Sequence, residues 1–314
     1  MQEKRRRYNP ELEEKNANQK TNNTEQIKEK KEHPILKKTI LTILFIIIAL
    51  LIYISSIEHM FINIKEYKIE STNIPNSFDG LKIVHFSDIH YGTTVDNKKL
   101  NQIVNKINKL NPDIIFFTGD LINKNIIINE ETQKEIITAL NNLNPKLYKY
   151  AIYGDEDYEN KTYRTIMENA NFKLLDNEST LLYYKDNTPV EITGFSPTNS
   201  SPNYTILTNL IENNDPNTLY KIVLVHEPDS LDKFINYNPN LVLSGHSLGG
   251  LIRIPFLKPL FLKENSQKYY NDYYKINNSD FYISNGLGTS NLNARLNNLP
   301  SINFYRLYKK NETN

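Results

Sequence analysis

The chain of 314 residues contains no cysteine and no tryptophan. Without cysteine there is no disulfide framework and no thiolate metal site, so any metal would have to be held by His, Asp, Glu or Asn. An excess of charge is missing too: 37 Lys and Arg stand against 36 Asp and Glu, a net charge of +1. That balance removes the global electrostatic footprint of a nucleic-acid-binding protein and leaves specificity to local features. Internal repeats are absent. The length and a hydrophobic content of 39% support one large domain or two small ones with a buried core.

Charge is also lacking from Thr39 to Ile57, TILTILFIIIALLIYISSI, a run of about nineteen residues that suffices to cross a bilayer as a helix. A buried core helix would show a polar stripe, and none is present. A signal peptide would have a shorter polar leader and an A-x-A cleavage pattern. Residues 37–57 are therefore expected to form a transmembrane anchor. Lys28, Lys30, Lys31, Lys37 and Lys38 crowd its N-terminal flank, whereas Lys65 and Lys68 are the nearest basic residues beyond it. By the positive-inside rule the N-terminus stays in the cytoplasm and the large C-terminal part is extracytoplasmic. Residues 1–36, rich in Lys, Glu, Asn and Gln, read as a disordered polar tail that includes the solvated Arg5–Arg6–Arg7 run.

After a linker and first alternating strand at 58–79, a domain is expected over 80–309, with 310–314 as a tail. Strands are predicted at Leu81–Phe86, Asp113–Thr118 and Leu147–Tyr153, separated by helices. The first helix is capped by Asp96 and carries Leu100, Ile103, Val104, Ile107 and Leu110 at helical spacing, and the second spans Glu130–Leu143. A helix at Tyr163–Ala170 precedes further strands at Thr180–Tyr184, Val190–Phe195, Tyr220–His226, Leu241–Ser244, Phe281–Ser284 and Ile302–Leu307. This order fits a layered α/β domain.

Five of these strands end in residues of metal-binding type: Asp88 with His90, Asp120, Asp155 with Glu156 and Asp157, His226, and His246. Ligands in open α/β sheets gather at the carboxyl ends of strands, where residues distant in sequence converge. Any single ending is explained by an ordinary turn residue or a structural histidine. Five together point to one site, and carboxylates with imidazoles suit divalent cations.

In order and spacing, FDGLKIVHFSDIH, TGDLIN, LVHEPD, LSGHSLGG and YISNGLGTS resemble the calcineurin-like metallophosphoesterases, nearest their membrane-associated bacterial branch, from roughly Asn73 to Leu307. The resemblance implies a four-layer α/β/β/α sandwich and one or two divalent ions, with Mn, Fe, Zn and Mg not distinguished. It implies a metal-bound hydroxide as nucleophile and no protein nucleophile. Asp88 and His90 match ligands of one metal, Asp120 matches the bridging carboxylate, and His226 and His246 match imidazole ligands of the second. Two such ions about 4 Å apart clamp a phosphate and activate water.

The chain departs from the family pattern at three positions. Gly-Asn-His-Asp is here Gly154, Asp155, Glu156, Asp157. Asp155 keeps an oxygen donor for the second metal. Glu156 replaces a leaving-group histidine, and a carboxyl serves as general acid only if its pKa is raised well above about 4.3. Gly-His-x-His is here Gly245, His246, Ser247, Leu248, and leucine cannot ligate. One full and one weakened metal site are expected.

GHSLGG also fits the G-x-S-x-G nucleophile elbow, with Ser247 as nucleophile. Two features exclude it: prolines 255 and 259 interrupt any following helix, and all six histidines precede Ser247. Two readings remain open for the apolar run Leu251–Leu262: an exposed loop directed at membrane or lipid, or a buried crossover. The tyrosines at 269, 270, 273 and 274 are expected to pack ordinarily. The functional expectation is a membrane-anchored phosphoesterase acting on a phosphodiester or pyrophosphate, such as that of an envelope lipid or lipid-linked nucleotide. Its alternative is a binding module that keeps the scaffold without turnover.

Overall fold

The computed structural model describes residues 10, 11, 13–15, 34–158, 160–197 and 219–311, so most of the polar tail 1–36 lies outside the described residues. The chain divides into two units, Met1–Leu50 and Leu51–Asn314. Helix α1 (Pro34–Ile52) holds most of the described residues of the first. Nineteen residues at 1.5 Å each give about 28 Å, close to the thickness of a bilayer core. The segment Pro34–Met60 has a mean hydropathy of 2.9 and buries none of its apolar window.

The second unit holds two six-stranded sheets. The first has the order β1-β12-β2-β3-β4-β5, from β1 (Asn63–Ser71), β12 (Ser301–Lys309), β2 (Lys82–Phe86), β3 (Ile114–Phe117), β4 (Tyr148–Ala151) and β5 (Lys173–Leu174). The second has the order β10-β11-β9-β8-β7-β6, from β10 (Tyr273–Ile276), β11 (Ser279–Ile283), β9 (Leu241–Ser244), β8 (Tyr220–Val225), β7 (Val190–Gly194) and β6 (Glu178–Leu182). β2 through β5 are parallel, as are β7, β8, β9 and β11.

The alternation of side chains along each strand sorts them into layers. Ile83, Ile114, Phe116 and Tyr150 of the first sheet meet Ile192, Ile222, Leu224 and Leu243 of the second in one buried cluster. From the other face of the first sheet, Val84, Phe86, Ile115 and Phe117 pack on helices α2 (Asn97–Lys109) and α3 (Glu130–Asn141). Asp96 and Asn129 cap these helices by accepting the backbone N–H groups of Lys99 and Thr132, both at 2.8 Å. Leu100, Ile103, Val104 and Ile107 are the buried stripe of α2, each burial contributing about 1.5–3 kcal/mol. On the outer face of the second sheet, Val223, Val225, Val242 and Phe281 pack with Leu231 and Tyr237. The result is the α/β/β/α sandwich. Tyr269 and Tyr274 form an edge-on pair against Phe281, ordinary packing as expected.

Register then places the polar residues. Phe86, Phe117 and Ala151 are aligned across β2, β3 and β4, and Val225 is aligned with Ser244 across β8 and β9. Every chain leaving those ends emerges at one edge of the sandwich.

Candidate metal centre

At that edge Asp120, Asp155, His226 and His246 form one ligand group and Asp88, His90 and Asp120 another, so Asp120 belongs to both. The loops that carry them are tightly bent. Asp88, His90, Asp120, His246 and Leu248 all adopt positive φ, between 44° and 63°, a region that residues with a Cβ enter at a cost. Two glycines allow two of these loops to touch. A Cβ on Gly119 would lie 2.3 Å from the Gly154 nitrogen, and one on Gly154 would lie 2.1 Å from Asp120 Oδ1. Asp157 fastens the same loops: its carboxylate accepts N–H groups from Asp120 at 2.6 Å, Leu121 at 2.9 Å and Gly154 at 2.9 Å. Burial and the neighbouring Asp120 charge push Asp157 up to about 8, against the pull of those donors.

The two distal histidines are oriented from behind. His226 Nδ1 lies 2.6 Å from the Thr118 carbonyl and His246 Nε2 lies 2.7 Å from the Glu264 carbonyl. A carbonyl only accepts, so each of these nitrogens carries the proton, and in the neutral ring the other nitrogen is a lone pair. Those inner nitrogens, His226 Nε2 and His246 Nδ1, face each other at 3.2 Å. Both also lie on Asp155 Oδ1, at 3.0 and 2.9 Å. Two lone pairs and a carboxylate oxygen converging on one point need a positive charge between them. Burial alone would push His226 down, but the Asp120 carboxylate and hydrogen bonds to Asp120 and Asp155 hold it well above its ordinary value. A proton there fills the place a divalent ion would take, so metal binding would release it.

His90 gives the second test of fit. It is completely buried, with Nδ1 against Glu156 and no hydrogen-bond partner at Nε2. Its Nε2 lies 3.5 Å from Asp120 Oδ2 and 3.8 Å from Asp88 Oδ1, too long for hydrogen bonds but suited to an ion between them. Asp88 is held by the His246 backbone N–H at 3.0 Å and by the Ser87 hydroxyl. The donor set therefore fits divalent cations at both positions. Leu248, only 2% exposed, brings no donor. A Cβ on Gly286 would meet both Leu248 Cδ2 at 2.6 Å and Asp88 Cβ at 2.8 Å, which puts the leucine in the neighbourhood of Asp88.

Glu156 is buried against His90, at the wall of the site's cavities. Its Oε2 lies 3.2 Å from His90 Nδ1 and accepts the Lys124 N–H at 2.9 Å, while Oε1 accepts the Ser290 hydroxyl at 2.6 Å. Burial raises its pKa, but the His90 contact outweighs it and the carboxyl sits below its ordinary value. That is the opposite of the shift a general acid needs.

Sequence reasoning missed Lys263. Its ammonium lies 3.4 Å from Asp120 Oδ2 and 3.7 Å from Glu156 Oε1, in a cavity of about 320 Å³ lined also by Lys124, Asp155 and His246. Burial would lower its pKa, but Asp120, Asp155, Asp88 and Glu156 together hold it above the ordinary lysine value, so it stays charged. No spacing signal marks it, because it arrives on an irregular loop. Asn123 is a second unforeseen member: its buried Nδ2 has no partner, and it lines an adjoining cavity with Lys124 and Glu156. Ser247 is buried, and its Oγ caps a single turn, Leu248–Gly250, rather than a helix, which agrees with the exclusion of a serine nucleophile.

A sequence profile of the calcineurin-like phosphoesterases matches residues 81–250. The chain is 32% identical over 266 residues to the uncharacterized metallophosphoesterase YkuE of Bacillus subtilis, covering 82% of this chain and 90% of that protein. It is 27% identical over 267 residues to the uncharacterized metallophosphoesterase Cj0846 of Campylobacter jejuni, covering 83% and 68%. It is 26% identical over 237 residues to the UDP-2,3-diacylglucosamine pyrophosphatase LpxG of Chlamydia muridarum, covering 57% and 67%. Profile, relatives and the two-sheet sandwich agree, and the chain belongs to the calcineurin-like phosphoesterase family.

Proposed function

We propose that the protein is a membrane-anchored, metal-dependent hydrolase of a phosphodiester or pyrophosphate, with a lipid headgroup or lipid-linked nucleotide as substrate. The observation that carries the reading is the 3.2 Å approach of two inward imidazole nitrogens whose outer nitrogens are pinned to carbonyls. Asp120, Asp155, His226 and His246 would hold one ion, and Asp88, His90 and Asp120 a second, weaker one. When bound, such ions lower the pKa of water and neutralise charge on the phosphoryl group.

The chain's own residues then divide the remaining work. Glu156 keeps His90 in the orientation that aims Nε2 at the two aspartates. Lys263 supplies a positive charge at the cavity wall, suited to phosphoryl oxygens, and the Asn123 amide is a buried donor in the adjoining cavity. With Glu156 ionised, the leaving oxygen takes its proton from solvent. Helix α1 would hold the domain at the membrane, with the N-terminus cytoplasmic. The 26% identity to a UDP-2,3-diacylglucosamine pyrophosphatase supports that substrate class.

A second reading has its own observation. Leu248 leaves the first position short of a ligand, so a binding module without turnover is its natural consequence. One experiment separates them. The full chain is purified in detergent, its metal content is measured by elemental analysis, and hydrolysis of bis(p-nitrophenyl) phosphate is followed with added manganese. Hydrolysis that disappears in Asp120→Ala supports the enzyme. Metal without hydrolysis, with turnover restored by Leu248→His, supports the binding module.

A further inference from the structure

The apolar run Leu251–Leu262 is the largest feature that the proposed chemistry leaves unused. It is a protruding loop, not a buried crossover. Phe256 is fully exposed, Leu257 is 61% exposed, and Leu260, Phe261 and Ile254 are all exposed beside them. Soluble surfaces rarely present five large apolar side chains in one contiguous segment. The loop is also built to stay this way. Phe256 sits at a φ of +68°, which a bulky residue rarely adopts without support. The loop base is closed by backbone bonds from Leu260 to Ile252 and from Phe261 to Gly250, both 3.2 Å.

What faces this tip follows from its neighbours. The loop is braced on residues 292–298, through Arg253 N to the Leu296 carbonyl at 2.9 Å and Leu296 N to the Leu251 carbonyl at 3.1 Å. That same segment holds the chain where it leaves the apolar helix: Arg295 N donates to the Ile54 carbonyl at 3.0 Å, and Asn298 N to Glu58 Oε1 at 2.6 Å. Met60 and Phe61, just beyond, are exposed. One stretch of backbone thus supports both the exit from the hydrophobic span and the apolar tip. The loop carries no acid between Arg253 and Lys263, and with Arg253 turned to Asp272 and Lys263 to the site, Lys258 is the exposed charge near the tip, a sign that suits anionic headgroups. Its trailing end is the site itself, since Lys263 reaches Asp120 and the Glu264 carbonyl holds His246.

We infer that this loop is a second membrane contact: its tip enters the interfacial layer of the bilayer that α1 spans and sets the cavity mouth against the phosphates of lipid headgroups. The inference rests on the membrane-anchored reading above, and its test distinguishes the two. Because the chain has no tryptophan, a single introduced indole reports alone. The full chain is reconstituted into vesicles of phosphatidylcholine and phosphatidylglycerol, with and without lipids brominated near the top of the acyl chain. Three variants are compared: Phe256→Trp; Leu44→Trp within α1; and Tyr148→Trp, exposed at the start of β4, opposite the strand ends that form the site. Blue-shifted emission from Phe256→Trp, quenched severalfold by the bromolipid while Tyr148→Trp is unaffected, supports the contact. Unquenched Phe256→Trp beside quenched Leu44→Trp overturns it and leaves the anchor standing. An unquenched Leu44→Trp overturns the anchor and the loop contact with it. A Phe256→Trp signal that is blue-shifted but unquenched, and lost when protein is diluted in lipid, assigns the tip to a second copy of the chain and overturns the membrane contact.

Discussion

Replacing Lys263 by methionine tests how the centre balances its charge. The lysine ammonium lies 3.4 Å from Asp120 Oδ2 and 3.7 Å from Glu156 Oε1, so in the metal-free protein it compensates carboxylates that an ion would otherwise neutralise. Unit charges about 4 Å apart interact by about 4 kcal/mol at an effective dielectric of about 20, and a divalent ion doubles that to about 8 kcal/mol of repulsion against a fixed ammonium. Lys263 is one-fifth exposed and sits on a loop, so it can swing toward the cavity and relieve most of this. The unrelieved part needs to be only about 1.4 kcal/mol to weaken metal binding tenfold. Lys263→Met is therefore expected to bind manganese at least about tenfold more tightly, with a second equivalent appearing at lower concentration. Hydrolysis should fall in the same variant, because the charge offered to the phosphoryl oxygens is gone. Calorimetric manganese titration beside the bis(p-nitrophenyl) phosphate assay measures both. Unchanged or weaker manganese affinity would refute the reasoning, since it would mean that the lysine neither competes with nor substitutes for an ion.

Glu156→Gln keeps the shape of the side chain and loses its charge against His90 Nδ1, 3.2 Å away. Manganese affinity at the weaker position should drop about 10- to 100-fold, and a loss of hydrolysis with metal affinity intact would instead return Glu156 to the role of proton donor. His85 predicts an acid-sensitive fold. It is buried between Tyr305 and Thr118, and burial lowers its pKa from 6.5 to about 3. Below pH 6.5 the unfolded chain binds the proton and the folded one does not, so stability is complete above 6.5 and is lost as pH falls toward 3. That loss is about 2 kcal/mol between pH 7 and pH 5. Urea midpoints should show this slope in the native chain and a slope shallower by one proton in His85→Asn; equal slopes would show that His85 does not carry it.

The parts of the fold that could be read in advance were those with local causes. Strand, turn and helix recur because apolar runs of four to six residues end at Asp or Gly, and because Asp96 and Asn129 stand one residue before amphipathic helices. The six residues expected to ligate metal lie within two overlapping groups for a related reason: each follows a parallel strand whose register is fixed by its neighbours. Three things were not legible. Lys263 reaches Asp120 across 143 positions on a loop without periodicity. Asp157 looked like one acid in a cluster, but its three backbone N–H bonds make it the clasp between two loops. The apolar run Leu251–Leu262 has the composition of a core segment, yet it closes on itself at its base and leaves five large apolar side chains exposed.

Lys263 and the apolar loop bear on the same question, which is how a centre with Leu248 in place of an expected histidine could still serve a phosphoester. On the motif resemblance, Leu248 stands where a histidine donor is expected near Asp88, and Asp155 and Glu156 stand where neutral residues are expected. Losing a ligand weakens the attraction for a cation, and gaining carboxylates strengthens it, so the changes oppose one another in sign. Lys263 balances the negative charge of Asp120 and Glu156, and with ions bound it would offer a positive charge to a phosphate. Because the loop that delivers this lysine is the one with the apolar tip, insertion into a lipid surface and placement of the charge would be coupled through ten residues of backbone or fewer. A soluble diester cannot exploit that coupling and a headgroup phosphate can, so the ratio of lipid to soluble-substrate turnover should fall in Phe256→Asp even where manganese affinity is unchanged.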